Sequence, residues 1–315
     1  MLAIYKYDNT DKQVKKQARF EPNVWINVVD PTTEEMDLLQ NKAHVPEAFL
    51  LYGLDADESA RYEYDEDAQA HLIIYDMPTV TPEPHHTFAY ETEPLAIVVT
   101  KTAIVTLHNR PVSMLALFAE GKIAHFNPQF RQRALLQFLY QVTVSYLTYL
   151  RELNKRRQQI ERNLQHNLRN EELYSMMDIQ RSLVYFMMSL RTDRNVLENI
   201  QRGNPLRFDE DDQDFLDDIM IENQQGGEMA QISNSIIHES TDTYSSVINN
   251  NMNSVMKFLT SYSIVLTIPT IIFSFYGMNV KLPLAGDSFS WITTIAISGI
   301  ISLIVGIFFW RRKFF

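Results

Sequence analysis

Two stretches near the C-terminal end, residues 258–275 (FLTSYSIVLTIPTIIFSF) and 289–310 (FSWITTIAISGIISLIVGIFFW), contain no charged residue. Each is close to the ~20 residues a helix needs to cross the hydrocarbon core of a bilayer. Only residues 276–288 separate them, too few for a domain. A single apolar stretch reads as a buried core helix, but two of full length side by side read as a pair of membrane spans. Lys257 precedes the first, and Arg311, Arg312 and Lys313 follow the second. Positive residues mark the cytoplasmic side, which predicts both termini inside and the 276–288 loop outside. Trp291 and Trp310 fall where interfacial aromatics belong.

The first span is not uniformly apolar. Asn253, Met256, Thr260, Ser263, Thr267, Thr270 and Ser274 follow alternating steps of three and four, and all but Met256 are polar. The positions between them are almost entirely aliphatic or aromatic, so one helix face is polar. Polar groups at membrane depth cost free energy unless they face protein or water. A period of 3.5 residues favours left-handed bundling of copies about a common axis. Single Ser or Thr hydroxyls can bond back to their own helix carbonyls and merely join helices. A whole stripe, with Asn253 at its inner end and Asn279 beyond its outer end, favours a wet axis. Two spans cannot enclose a pore, so this axis requires an oligomer.

The remainder predicts an α/β region followed by long helices. Residues 2–7, 24–29, 72–77, 95–100 and 103–107 are short, β-branched or aromatic runs bounded by turn residues, and are predicted strands. Thr32 and Glu35 have capping-box spacing and open a helix through about Lys42. From about Gln129 the texture becomes helical, with almost no Gly or Pro until Gly203, Asn204 and Pro205. Asn167–Asn170 (NLRN) is a predicted turn with an N-cap, making a helical hairpin. A third helix starts in the acidic run 209–218 and continues to about Phe275, on the order of 90 Å long. Gly226 and Gly227 lie inside it, a weakness of roughly 2 kcal/mol against two alanines and a candidate kink or hinge. The expected divisions are therefore 1–127 (α/β domain), 128–205 (helical hairpin), 206–257 (stalk helix), 258–275 and 289–310 (spans), 276–288 (outer loop) and 311–315 (basic tail).

Net charge is −11, with acid concentrated at Asp55, Asp57, Glu58, Asp65, Glu66, Asp67 and in the 209–218 run. That argues against a nucleic-acid partner, because phosphate binding needs a basic face. The absence of cysteine excludes thiolate metal sites and disulfides. The start, MLAIYKY, lacks the pattern of a signal peptide, so residues 1–257 are expected in the cytoplasm. The eight histidines, among them the adjacent His85 and His86, lack ligand spacing. No Gly-rich phosphate loop, nucleophile elbow or zinc-protease spacing is present, so neither an enzyme nor an organic cofactor is expected.

Tyr276, Gly277, Met278 and Asn279 at the outer end of the first span, a second span after a short loop, a basic C-terminus, and Val255-Met256-Lys257 with Leu259-Thr260 at the inner end together resemble the CorA magnesium transporter family. The motif resemblance covers about residues 249–315; over the first part it lies in architecture. It implies a homopentamer in the cell membrane, a CorA-like funnel whose stalk helix becomes the pore-lining span, and passive transport of Mg²⁺, with Co²⁺ and Ni²⁺ as further cargo. Asn279 would form the outer selectivity ring that holds a hydrated ion, with Gly277 allowing close backbone approach and Met278 fixing the loop. Asn253, Thr260, Ser263, Thr267 and Thr270 would line the pore, and Met256 and Leu259 would form an apolar gate that closes by dewetting. The resemblance also implies acidic regulatory Mg²⁺ sites between subunits. Asp218 is the positional counterpart on the stalk, Asp214 and Asp217 lie beside it, and Glu91 or Glu93 is the candidate on the N-terminal side.

Mg²⁺ dehydrates reluctantly, so rings of neutral carbonyls and hydroxyls can bond its water shell without stripping it. Entry of a doubly charged ion into a compartment at −100 mV gains about 4.6 kcal/mol, so no ATP motif is needed. The loop after the motif departs from the family, with Lys281 near the mouth and Asp287 as its single acid, which leaves the choice among divalent ions open. Two other readings stand: a zinc-carrying member of the same superfamily, whose tripeptide usually varies at the position of Met278, and a membrane-anchored sensor or scaffold that conducts nothing.

Overall fold

The apolar runs become the centre of a seven-stranded sheet with order β2-β1-β3-β7-β6-β5-β4. Its strands are β1 (Leu2–Asp8), β2 (Gln13–Gln17), β3 (Val24–Val29), β4 (Arg61–Asp65), β5 (Ala70–Val80), β6 (Tyr90–Val99) and β7 (Ala103–His108). Among the described strands, β3–β7 is the one parallel pair, with Val24 opposite Ala103 and Val28 opposite Leu107. The computed structural model describes residues 1–80, 90–166, 170–280 and 289–312. Thus residues 167–169 of the NLRN turn, His85 and His86, the loop from Lys281 through Ser288, and Lys313 lie outside the described residues.

Alternation along the central strands sends side chains to two faces. Val24, Ile26, Val28, Leu72, Ile74, Ala96, Val98, Val105 and Leu107 make one core with Leu39, Ala43, Phe49 and Leu50. Those last four come from α1 (Thr33–Ala43) and α2 (Glu47–Leu54). Helix α1 begins with the expected capping box: the Glu35 amide donates to Thr32 Oγ1 at 3.3 Å, and the Thr32 amide to Glu35 Oε2 at 3.0 Å.

The opposite face is organised around Trp25, which is fully buried. It stacks on Tyr5 at 4.7 Å and meets Phe126 and Phe138 at 5.6 and 5.4 Å. Its indole N–H donates to Thr106 Oγ1 at 2.9 Å, and Thr106 in turn donates to Asn27 Oδ1 at 3.0 Å. His108 meets the same Asn27 oxygen at 2.9 Å, and His71 bonds Tyr62 at 2.9 Å. These two histidines therefore serve packing networks.

This second face is covered by α3 (Ser113–Ala119), α4 (Arg131–His166) and α5 (Asn170–Gly203). Helix α5 is anchored to β5 and β6 by polar side chains at helical spacing. Ser182 accepts from the Tyr90 amide at 2.8 Å, Ser189 donates to Thr92 at 2.9 Å, and Asp193 accepts from the Asp76 amide at 2.8 Å.

Helix α6 (Glu210–Tyr276) is a single run of 67 residues, and α7 (Ser290–Arg311) follows. Asp209 caps α6 by accepting from the Asp212 amide at 2.9 Å, and the acids Glu210, Asp211 and Asp212 sit in the first turn, where the helix dipole favours them. The acidic run thus has a local role in starting this helix. Asp212 also turns inward to Arg133 of α4 at 3.0 Å, and that guanidinium lies over the Phe215 ring at 4.3 Å.

Helix α6 passes through Gly226 and Gly227 unbroken. A Cβ at Gly226 would stand 3.3 Å from Leu190 of α5, whereas one at Gly227 would meet nothing within 4 Å. Gly226 is a close-packing position and Gly227 is not. Gly227→Ala is expected to stabilise the protein by about 1 kcal/mol through helix propensity, while at Gly226 the contact offsets that gain. Thermal melting of both variants checks this, and equal gains at both sites would contradict it.

By contact the chain forms two compact units, Met1–Ser240 and Thr241–Phe315. The sheet and its helices make up the first. The second holds the end of α6 and all of α7.

Candidate ion pathway and metal sites

Both C-terminal helices are long and apolar enough to cross a membrane, and little of either apolar stretch is buried within the chain. On α6 the shielded positions are Ser261, Val265, Ile268, Pro269 and Ile272; on α7, Thr294 and Ser298 are buried. The polar stripe is separate from this shielded face. Asn253, Met256, Thr260, Ser263, Thr267, Thr270 and Ser274 are all exposed, as is Leu259.

Two of these hydroxyls bond to their own helix: Thr267 donates to the Ser263 carbonyl at 2.7 Å and Thr270 to the Leu266 carbonyl at 3.2 Å. Back-bonding satisfies the hydroxyl proton and leaves the oxygen lone pairs facing outward. Such oxygens can only accept. The waters around a cation point their own protons outward, so an accepting surface is the chemical complement of a hydrated cation.

Beyond Tyr276 the helix ends in a tight turn. The Gly277 amide still bonds the Phe273 carbonyl at 2.9 Å, the Met278 amide bonds Phe275 at 3.3 Å, and the Val280 amide bonds Met278 at 2.9 Å. A Cβ at Gly277 would stand 3.3 Å from the Phe273 carbonyl oxygen, tighter than ordinary contact, so the turn favours glycine. Met278 and Asn279 are exposed at its tip. The Asn279 amide oxygen adds one more neutral acceptor past the end of the stripe.

The candidate regulatory acids do not form a complete site in one chain. Asp214, Asp217 and Asp218 are exposed on the first turns of α6, and Asp217 accepts from Gln201. Glu91 is exposed, but Glu93 already pairs with Arg110 at 3.1 Å. Among the described residues, no three His, Asp or Glu side chains converge to hold a metal ion.

A polar cluster that carries no sequence motif is buried in the first unit. Asp193 is fully buried, and its Oδ2 has no hydrogen-bond partner. Burial raises its pKa well above the ordinary carboxylate range, and the nearby Asp76 charge adds to the rise. Asp76 is likewise raised by burial, while Ser189 and Thr192 hold it down. Tyr146 donates to the Asp76 carbonyl at 3.1 Å. The only available sequence signal was the seam of Ser182, Phe186, Ser189 and Asp193, which reads as an ordinary packing face.

The profile of a family described as CorA-like Mg²⁺ transporter protein matches residues 21–313. The cobalt/magnesium transport protein CorA of Methanocaldococcus jannaschii is 28% identical over 296 residues, covering 92% of this chain and 90% of that protein. The CorA protein of Thermotoga maritima is 21% identical over 230 residues, covering 71% of this chain and 65% of that protein. The complete structure of the M. jannaschii CorA magnesium transporter superposes with a TM-score of 0.83 at 25% identity, covering 99% of this chain and 98% of that one. The full-length CmaX protein shares the fold at 17% identity, with a TM-score of 0.69 and coverage of 100% and 97%. An α/β domain, a long helix and a second apolar helix therefore follow the architecture of a solved membrane transporter over nearly the whole chain, and this chain belongs to the CorA-like divalent cation transporter family.

Proposed function

We propose that this protein is a passive Mg²⁺ channel that works as a homopentamer in the cell membrane, with residues 1–257 and the C-terminus in the cytoplasm. The observation that carries this reading is the exposed stripe of neutral acceptors on α6 that ends at Asn279. Five copies around one axis would turn the stripe into rings formed by Asn253, Thr260, Ser263, Thr267 and Thr270. Asn279 would form the outermost ring, in a turn shaped by Gly277 and Met278. Neutral acceptors bond the water shell of Mg²⁺ without replacing it and release the ion more readily than carboxylates would. Met256 and Leu259, exposed on the same helix near the inner end, form the apolar constriction. Co²⁺ and Ni²⁺, which also carry ordered water shells, are further cargo.

Regulation follows from the same assembly. Asp214, Asp217 and Asp218 of one subunit, with Glu91 of a neighbour, bind internal Mg²⁺ and hold the pore shut; when Mg²⁺ is scarce, repulsion between the carboxylates loosens the closed state. The Glu93 ion pair with Arg110 makes it the weaker of the two N-terminal candidates. Neutralising Asp214, Asp217 and Asp218 together is expected to shift inhibition by internal Mg²⁺ to concentrations about tenfold higher, because loss of ~1.4 kcal/mol of binding gives that factor. Uptake assays across a series of internal Mg²⁺ concentrations read the shift, and an unchanged inhibition curve counts against these acids.

The transport reading is tested with purified protein in liposomes. Mg²⁺ is expected to enter without ATP, and faster when the interior is made negative. No uptake at any internal Mg²⁺ or potential would favour a non-conducting sensor.

A further inference from the structure

The buried cluster around Asp193 joins four elements of the first unit. Helix α5 brings Asp193, Thr192 and Ser189, and β5 brings Tyr75 and Asp76. Helix α4 brings Thr143 and Tyr146, and α6 brings Asn223. The Tyr75 hydroxyl lies 3.4 Å from Thr143 Oγ1. The Asp193 charge and the Asn223 amide both act on that hydroxyl. Two atoms of the cluster are buried without a partner, and they are chemically complementary: Asp193 Oδ2, an acceptor when ionised, and Asn223 Nδ2, a donor.

Among the described residues, no cation balances this site. The titratable groups facing Asp193 are the Asp76 carboxyl and Tyr75 phenol from β5 and the Tyr146 phenol from α4. Helix α6 contributes only the neutral Asn223 amide, and α5 only the hydroxyls of Thr192 and Ser189. On β4, Arg61 is engaged by Glu58 and Glu63. An ionised carboxylate buried beside a second carboxyl, with one backbone amide as donor, is strongly disfavoured, and a proton removes that penalty.

We propose that Asp193 is a proton-binding site: it carries a proton in the arrangement seen here, and loss of that proton recruits the Asn223 amide of α6 to the freed oxygen. Protonated Asp193 accepts from the Asp76 amide through Oδ1, and its second oxygen, now carrying the proton, needs no donor from α6. Ionised Asp193 needs a donor at Oδ2, and the Asn223 amide, which faces the neighbouring Tyr75 hydroxyl, is the donor that α6 brings to the cluster. The proton goes to solvent, and the position of α6 against α5 changes with it. Helix α6 also contributes the first membrane span, so pH on the side bearing residues 1–240 biases ion flux. This last step rests on the channel reading above, whereas the proton site does not.

The full chain is examined in detergent by infrared difference spectroscopy across a pH series, and in liposomes by Mg²⁺ uptake with pH varied on the side bearing residues 1–240. A protonated-carboxyl band is expected at pH 7 in the wild type, lost in Asp193→Asn. In Asp76→Asn its titration is expected to shift to lower pH, since a neighbouring negative charge is removed. This second variant leaves Asp193 in place and keeps the test decisive if Asp193→Asn fails to fold. Absence of the band in wild type at pH 7, or its persistence in Asp193→Asn, overturns the site. Uptake in wild type is expected to vary with pH and in Asp193→Asn to lose that dependence; equal pH dependence in both overturns the coupling to α6. Wild type that conducts at no pH contradicts the channel reading and leaves the proton site to be decided by the spectra.

Discussion

Replacing Met256 and Leu259 together by serine is expected to raise Mg²⁺ flux through the closed protein by about tenfold or more. An apolar ring excludes water because small, uncharged walls offer no hydrogen bonds, and an ion cannot enter a dry constriction with its shell intact. Serine hydroxyls restore those bonds. Removing ~1.4 kcal/mol of barrier already gives a factor of ten, and each subunit of an oligomer contributes two substitutions. Both side chains are more than half exposed in the single chain, so the change disturbs no packing within it. Uptake at high internal Mg²⁺, where the proposed regulation holds the wild type shut, is the measurement. Flux that stays at the wild-type closed level would place the constriction elsewhere on α6.

The second large effect concerns stability. Trp25→Ala is expected to cost about 3–5 kcal/mol, the range for truncating a large buried aromatic. It deletes the ring that Tyr5, Phe126 and Phe138 pack against and leaves Thr106 Oγ1 without its indole donor. Amide exchange in β3 and β7 reads the loss locally and is expected to accelerate by about a hundredfold or more, at ~1.4 kcal/mol per factor of ten. The unit Thr241–Phe315 is expected to keep its exchange rates. Equal acceleration in α7 would mean that the two units unfold together, and no acceleration in β3 would mean that the aromatic cluster is dispensable.

The legibility of the fold followed burial. Strands β3 and β7 lie at the centre of the sheet and are covered on both faces, so VWINVV and AIVTLH read as strands directly. The two strands that were not anticipated, β2 (QVKKQ) and β4 (RYEYD), are the two edges. Edge strands carry charge to discourage further pairing, and charge is what hides them in a search for apolar alternation. Helices α2 and α3 are short and apolar on most sides, a pattern that does not separate helix from strand. The capping box at Thr32 and Glu35 needed no tertiary information, because both of its bonds are local.

The candidate site divides the same way. The spans, the stripe and the Gly277-Met278-Asn279 turn are contiguous in sequence, and helical geometry alone places them on one face or at one end. The acids at 214, 217 and 218 were visible as charge, but their composition could not separate metal binding from helix capping, which Asp209 performs. The Asp76–Asp193 cluster was invisible: its members are 117 residues apart and meet only when α5 docks on β5.

The central claim is that neutral acceptors at the end of α6 hold a hydrated Mg²⁺ ion, and Asn279 is the residue that tests it most directly. Each hydrogen bond to a charged or strongly polarised group is worth about 1.5–3 kcal/mol, so removing a ring of amides is expected to cut Mg²⁺ uptake by at least about tenfold. Initial uptake rates in liposomes, compared between wild type and Asn279→Ala at equal protein and membrane potential, provide the measurement. A loss of that size, with the oligomer intact by size, is the predicted result; robust uptake unchanged by the substitution would contradict it.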